Sequence, residues 1–179
     1  MFKCSKGTRL TKQNRIDGNI PLLTAGVGLG QGVASYIDEN DKMTLYENDI
    51  TIDMFGGVFY HDYKHYGDDN IHFLVNDGIS HLSKIYITVM LDKCLRGRFS
   101  YGMQFRMKYL DILNVMLPIQ VDINNNPKTD PTHKYHKDGY IPDFEFMERY
   151  IKAMQKVVIV DVVKYKDEVI EKTKSIVGV

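Results

Sequence analysis

The sequence contains no tryptophan, and its 179 residues include only two cysteines, Cys4 and Cys94. Two thiols are too few for a disulfide framework and fit a reducing, cytoplasmic setting. No stretch approaches the roughly 18 to 20 apolar residues of a membrane span, so no membrane role is expected. The opening Met1-Phe2-Lys3-Cys4-Ser5-Lys6 lacks an apolar core, so no secretory signal is expected. Net charge is absent as well: 23 Lys and Arg stand against 23 Asp and Glu. The global positive excess of many nucleic-acid binders is therefore missing. Catalytic signatures are missing too. There is no Asn/Asp-Pro-Pro-aromatic motif, Asn126-Pro127 being followed by Lys128, and no G-x-S-x-G elbow, P-loop or H-E-x-x-H. The pairs His61/His65 and His133/His136 have no cysteine cluster beside them and read as loop or surface histidines. No metal and no cofactor is expected.

What is present is an ordinary apolar share of 44%, a charged share of 26% and 12 tyrosines. That suffices for one domain with a real core, or one domain plus an appended helix. The charge is segregated. Lys3, Lys6, Arg9, Lys12 and Arg15 fall in residues 1–16 with no acid among them. Lys93, Arg96, Arg98, Arg106 and Lys108 fall in residues 93–108, again with no acid. Asp38, Glu39, Asp41, Glu47 and Asp49 crowd the segment between. Such a chain has a basic face only if folding brings its two basic segments together. Otherwise they are separate solvated surfaces.

The stretch Ile50 to His61 organises the rest. Two β-prone runs, Ile50–Asp53 and Val58–Tyr60, flank Gly56-Gly57, a pair suited to the positive φ of a tight hairpin turn. The following Asp62-Tyr63-Lys64-His65-Tyr66 reads as an exposed, presenting tip. Upstream, Ile20–Thr24 predicts a strand. The alternating glycines of Gly26-Val27-Gly28-Leu29-Gly30-Gln31-Gly32 fail the dinucleotide fingerprint, which needs a helix after G-x-G-x-x-G. They read instead as a flexible hairpin loop. Thr44–Tyr46 and Ile71–Val75 are further short strands. From Ile79 to Leu95 the apolar period becomes three to four, predicting an amphipathic helix ended at Gly97.

Residues 124–142 form a long polar connector. Beyond it Asp143 can cap a helix whose apolar positions Phe144, Met147, Ile151, Met154 and Val158 step 3, 4, 3, 4. The Val-rich stretch 157–163 obscures the period, and Val162, Tyr165, Val169 and Ile176 suggest resumption after a stutter or kink. So short a seam cannot sustain a free coiled coil. It must pack on its own domain or on a partner helix. The expected fold class is α+β: a mixed, mostly antiparallel β domain with one core helix over residues 1–123, the 124–142 connector, and a long C-terminal helix over 143–179.

In order along the chain, Gly18–Gly26, Ile50–Tyr60, Asp68-Asp69-Asn70-Ile71 and Phe99-Ser100-Tyr101-Gly102 resemble the target recognition domains of restriction–modification specificity subunits. The likeness is to Type I S-subunit-like and BcgI-like or Type IIG specificity proteins. The tail from Ile141-Pro142-Asp143-Phe144 is similar to the helical region that follows such a domain. The resemblance implies a non-catalytic component that reads one half of a bipartite duplex DNA target, with the helix as spacer and docking surface for methyltransferase or endonuclease modules. Full specificity subunits usually carry two such domains and two helices, and this chain has one of each. That departure implies a half-subunit that forms a homodimer, or a single-domain subunit within a larger assembly.

Residue type and segment charge nominate the DNA contacts. Base edges call for Arg, Lys, Asn, Gln and aromatic tips on protruding loops. Those types occur at Gln31, at Tyr60, His61, Lys64, His65 and Tyr66, and at Arg96, Arg98, Tyr101, Gln104 and Arg106. Lys6, Arg9, Lys12, Arg15 and Lys108 suit phosphates. Phe144, Met147, Ile151, Met154 and Val158 are the candidate helix-packing or dimer residues. Two rivals stand beside this reading. One is a small Mg²⁺-dependent nuclease using Asp53, Asp62 and Lys64. The other is a helix-mediated protein-interaction module without DNA. On the favoured reading Asp53 is structural, its side chain tied near the turn.

Overall fold

A computed structural model describes residues 1–26 and 30–177 of the chain. Among the described residues, seven strands run in order: β1 (Lys3–Lys6), β2 (Asp17–Leu23), β3 (Val33–Ile37), β4 (Asp49–Asp53), β5 (Val58–His61), β6 (Tyr66–Gly67) and β7 (Ile71–Val75). Two helices follow, α1 (His81–Leu95) and α2 (Phe144–Val177). One sheet is antiparallel throughout, in the order β1-β7-β4-β5. The second, β3-β2-β6, joins an antiparallel pair to a short parallel one.

β4 is buried along its whole length, because both faces of its sheet are covered. Strand alternation sends Ile50 and Ile52 to the helix side, where they join Leu74, Ile87, Leu91, Leu95, Phe105 and Met147 in the main core. Each such fully buried side chain contributes roughly 1.5–3 kcal/mol. Asp49, Thr51 and Asp53 alternate to the other face, toward the second sheet. There Leu23, Ile71 and Phe73 form a smaller cluster with Val33 and Tyr46. Tyr46 stacks on Phe73 with ring centroids 3.8 Å apart.

The expected helix forms with Ser80 as its cap, the side chain accepting from the Ser83 amide. Gly97, at φ +74, follows its last turn. Residues 44–46 form no strand; a single antiparallel bridge, Tyr46–His65, stands there. The basic opening and residues 66–67 are strands that the period-2 pattern did not indicate. Both are too short to show one, and both exist through their partners. Residues 119–142 fold back on themselves through the bridges Ile119–Pro142, Val121–Pro127 and Thr129–Tyr140.

Asp143 does cap α2, accepting from the Phe146 amide at 2.9 Å. The helix itself is continuous from Phe144 to Val177, without interruption at its valines. A β-branched residue costs only a few tenths of a kcal/mol in a helix. The pairs Arg149–Glu145, Lys152–Glu148 and Lys174–Glu171 add support along the exposed face. Its first two turns pack on α1. Met147 is fully buried and Ile151 is 8% exposed, Phe144 joins the main core, and the Ser83 hydroxyl donates to the Phe144 carbonyl. Phe144, Met147 and Ile151 thus pack on their own domain, one of the two alternatives expected for this seam. Met154 and Val158, on the same seam, face solvent.

Candidate functional site

The β4–β5 turn is the point where three loops meet. It spans four residues, and only Gly56 of the glycine pair takes positive φ, at +81. Asp53 holds the turn: one carboxylate oxygen accepts from the Phe55 and Gly57 amides, both at 2.8 Å. The other accepts from the Gly26 amide at 3.2 Å, which ties in the glycine loop. The third loop arrives from the C-terminal side. The Phe105 amide donates to the Met54 carbonyl, Phe99 lies against Gly56, and Tyr101 sets its ring edge-on to Phe55 at 5.0 Å.

One residue of each basic segment comes near His72 beside this third loop. Lys6 pairs in register with His72 on β7, and the ring of Phe105 stands edge-on to His72 at 5.3 Å, placing Arg106 beside it. Burial is the main cause of the lowered pKa of His72. The Ile52 carbonyl at its Nδ1 opposes that shift, while the Lys6 and Arg106 charges add to it. One imidazole thus feels a cation from each segment.

The remaining nominated residues divide sharply. Lys12, Gln31, Lys64, Arg98, Tyr101 and Arg106 are exposed, and Gln104 is half-buried. Arg106 donates to Gln104 and Arg96 pairs with Asp92. Arg9 lies 3.9 Å from Asp69, Arg15 donates to Ser35 and to the Leu10 carbonyl, and Lys108 sits over the Tyr109 ring. Val27, Gly28 and Leu29 of the glycine loop lie outside the described residues.

His61, His65 and Tyr66 are interior residues, not surface readers, and Tyr60 is half-buried. Burial demands partners for their polar atoms, and each side chain has at least one, although His65 Nε2 and the Asp49 carboxylate form no hydrogen bond. His61 bonds Thr51 and Tyr63. His65 sets Nδ1 against the Tyr63 carbonyl and Nε2 3.2 Å from Asp49. Tyr66 accepts from the Asn40 amide and Tyr60 donates to Asn48. Asn48, at φ +55, also receives the buried ammonium of Lys84 on its carbonyl, which pins α1 to the hairpin. Across 61–65 buried and exposed positions alternate, with Tyr63 half-buried between exposed Asp62 and Lys64, and Tyr66 is buried beside His65. Tyr63, at the rim, is the functional candidate that residue type alone passed over, and the inward–outward period around it was the available signal.

The metal-nuclease constellation does not assemble. The Asp53 carboxylate is occupied by three backbone amides. From Gly57, opposite Asp53, to Asp62 the chain advances about 17 Å at ~3.4 Å per residue. Among the described residues no group of three or more His, Cys, Asp or Glu could hold a metal ion. Nor is any described helix long and apolar enough to cross a membrane.

The family model of the Type I restriction modification DNA specificity domain matches residues 1–126. The specificity subunit S.BcgI of a Type II restriction enzyme from Heyndrickxia coagulans is 26% identical over 165 residues, 89% of this chain and 42% of that protein. The fold is similar to the S subunit of a Type I restriction-modification system from M. genitalium, with a TM-score of 0.57, 16% identity and coverage of 93% of this chain and 39% of that one. It is also similar to the HsdS subunit from Thermoanaerobacter tengcongensis, with a TM-score of 0.53, 12% identity and coverage of 88% and 36%. The chain spans about two fifths of the length of these relatives.

Proposed function

Because the chain belongs to the Type I restriction modification DNA specificity domain family, we propose that it is a non-catalytic, sequence-specific DNA-recognition module that reads one half of a bipartite target. The observation that supports this is that Lys6, in register with His72, and Arg106, which follows the Phe105 ring packed on His72, bring one cation from each basic segment beside the three-loop junction. Lys6, Arg9, Lys12, Arg15 and Lys108 hold phosphates in this reading. Gln31, Lys64, Arg98, Tyr101, Gln104 and Arg106 face base edges. Residues 1–123 form the recognition unit, 124–142 the connector, and 143–179 the helical spacer of a cytoplasmic assembly.

The test is salt-dependent binding to a randomised duplex pool with Mg²⁺ present, with the recovered sequences read out. A short half-site should be enriched without cleavage. Neutralising about four phosphates would weaken binding roughly 100-fold between 50 and 200 mM salt. Lys6→Ala should lower the salt slope by about 1, and Arg106→Ala should relax the selected sequence at one position. Absence of binding at low salt overturns the reading, and Mg²⁺-dependent cleavage abolished by Asp53→Asn would restore the nuclease.

A helical partner is the second part of the proposal. Met154, Val158, Val162, Tyr165, Val169 and Ile176 are exposed along α2, a seam suited to a methyltransferase or endonuclease helix or to α2 of a second copy. Light scattering that gives a monomer mass at all concentrations would remove the second copy and leave a foreign helix.

A further inference from the structure

A hydrogen-bonded chain runs from the interior of the antiparallel sheet to the surface. The Thr51 hydroxyl lies 2.8 Å from His61 Nε2, and His61 Nδ1 lies 2.9 Å from the Tyr63 hydroxyl. Thr51 and His61 are buried, at 2% and 0% exposure. Burial, and secondarily the neighbouring His65, holds His61 far below its ordinary pKa, at about 3. His61 is therefore neutral at physiological pH and carries one ring proton. The direction of the chain follows from satisfaction. If Thr51 merely accepted from His61, its own hydroxyl hydrogen would be left in a dry interior, at a cost of about 1–3 kcal/mol. Thr51 therefore donates to Nε2, the ring proton sits on Nδ1, and His61 donates to the Tyr63 oxygen. The Tyr63 hydrogen is left to point outward. Burial, the nearby Tyr36 and Asp62 raise the pKa of Tyr63, so that hydrogen is retained.

Outside, Tyr63 forms a shallow hollow with Pro21, Gly30, Gln31, Val33 and Tyr36. Its internal acceptor there is Gln31 Oε1 at 3.5 Å, a long contact that a better acceptor would replace. The lining sets the Tyr36 and Tyr63 rings, Pro21 and Val33 beside the amide of Gln31, a mix of aromatic, apolar and polar groups that suits a base. The Asp62 carboxylate, close enough to act on Tyr63, repels a phosphate. We infer that Tyr63 is a specificity-determining residue that donates its hydroxyl hydrogen to an acceptor on a base edge in this hollow, with His61 and Thr51 as positioning residues behind it. The bases with such an acceptor in the major groove are guanine, through N7 or O6, adenine, through N7, and thymine, through O4. This rests on the DNA-recognition reading above.

The experiment is selection from a randomised duplex pool by the full chain and by Tyr63→Phe, Thr51→Val and Thr51→Ser. Tyr63→Phe should lose roughly 5- to 100-fold discrimination at one base pair while keeping low-salt binding to random DNA. Thr51→Val should weaken the same position and Thr51→Ser should restore it. ¹⁵N spectra of His61 should place the ring proton on Nδ1. An unchanged selection profile for Tyr63→Phe, with the parent chain enriching a half-site, overturns this assignment alone. A proton on Nε2, or a Thr51→Val effect spread evenly over all positions, also overturns it. No enrichment by the parent chain overturns the DNA reading and the assignment together.

Discussion

The two ends of α2 carry one pattern and meet opposite fates. Met147 and Ile151 are 0% and 8% exposed, whereas Met154 and Val158, next on the same 3-4 seam, are 45% and 57% exposed. The difference is α1. Against the first two turns, α1 supplies Tyr86, whose ring stands edge-on to Tyr150 at 5.6 Å, and the Ser83 bond to Phe144. From residue 152 onward the described side chains of α2 are all exposed. A heptad spacing states that a face is apolar; it does not name what covers that face.

Substitutions on the two sides of this boundary should differ most in stability. Met147→Asp places an unpaired carboxylate in the core and should cost about 4 kcal/mol or more, a large share of a domain's stability. Urea unfolding would show it as a collapsed midpoint, and an unchanged midpoint would mean that the packed half is not packed. Gly56→Val tests the body at its other end. Its φ of +81 strains a β-branched residue, and a Cβ there would lie 2.8 Å from Phe99 and 3.0 Å from the Leu95 carbonyl. A loss of about 2–4 kcal/mol is expected in thermal melts, and a retained melting temperature would remove the turn from the body's foundations.

The third comparison uses pH. His61 titrates near 3 in the folded chain against an ordinary value of 6.5. On acidification the unfolded chain takes up the proton first. Stability is therefore lost as pH falls from about 6.5 toward 3, by up to ~1.4 kcal/mol per unit. His61→Gln should flatten that slope in chemical unfolding across pH, and a slope identical to the parent's would show His61 to be solvated. Smallest in stability is Val158→Asp, expected to change unfolding by less than about 0.5 kcal/mol. Any association through the exposed seam should nevertheless weaken in light scattering. A destabilised monomer would instead place residue 158 with the packed half.

The organising hairpin, the core helix with its Gly97 stop, the Asp143 cap and the C-terminal helix were all legible, because each rests on local periodicity or on one residue's conformational preference. Asp53 as a tie at the turn was legible for the same reason. The site was only partly so. His61, His65 and Tyr66 share residue types with surface readers, and nothing in the types tells that β5 and the bend after it turn His61 and His65 inward or that β6 joins the second sheet. The strands at 3–6 and 66–67 exist through pairing with distant segments, which local pattern does not carry.

Composition and spacing by themselves determined that this chain has a β-rich body, a long apolar-seamed helix and two cationic segments without a catalytic signature. Those properties reside in neighbours along the chain. Only the tertiary structure decided that Lys6 and Arg106 flank one histidine, that Tyr63 and not His61 reaches the rim, and that the seam of α2 is half covered. Each depends on contacts between residues far apart in sequence, whose free energy is realised only when the two sheets and α1 close on one another.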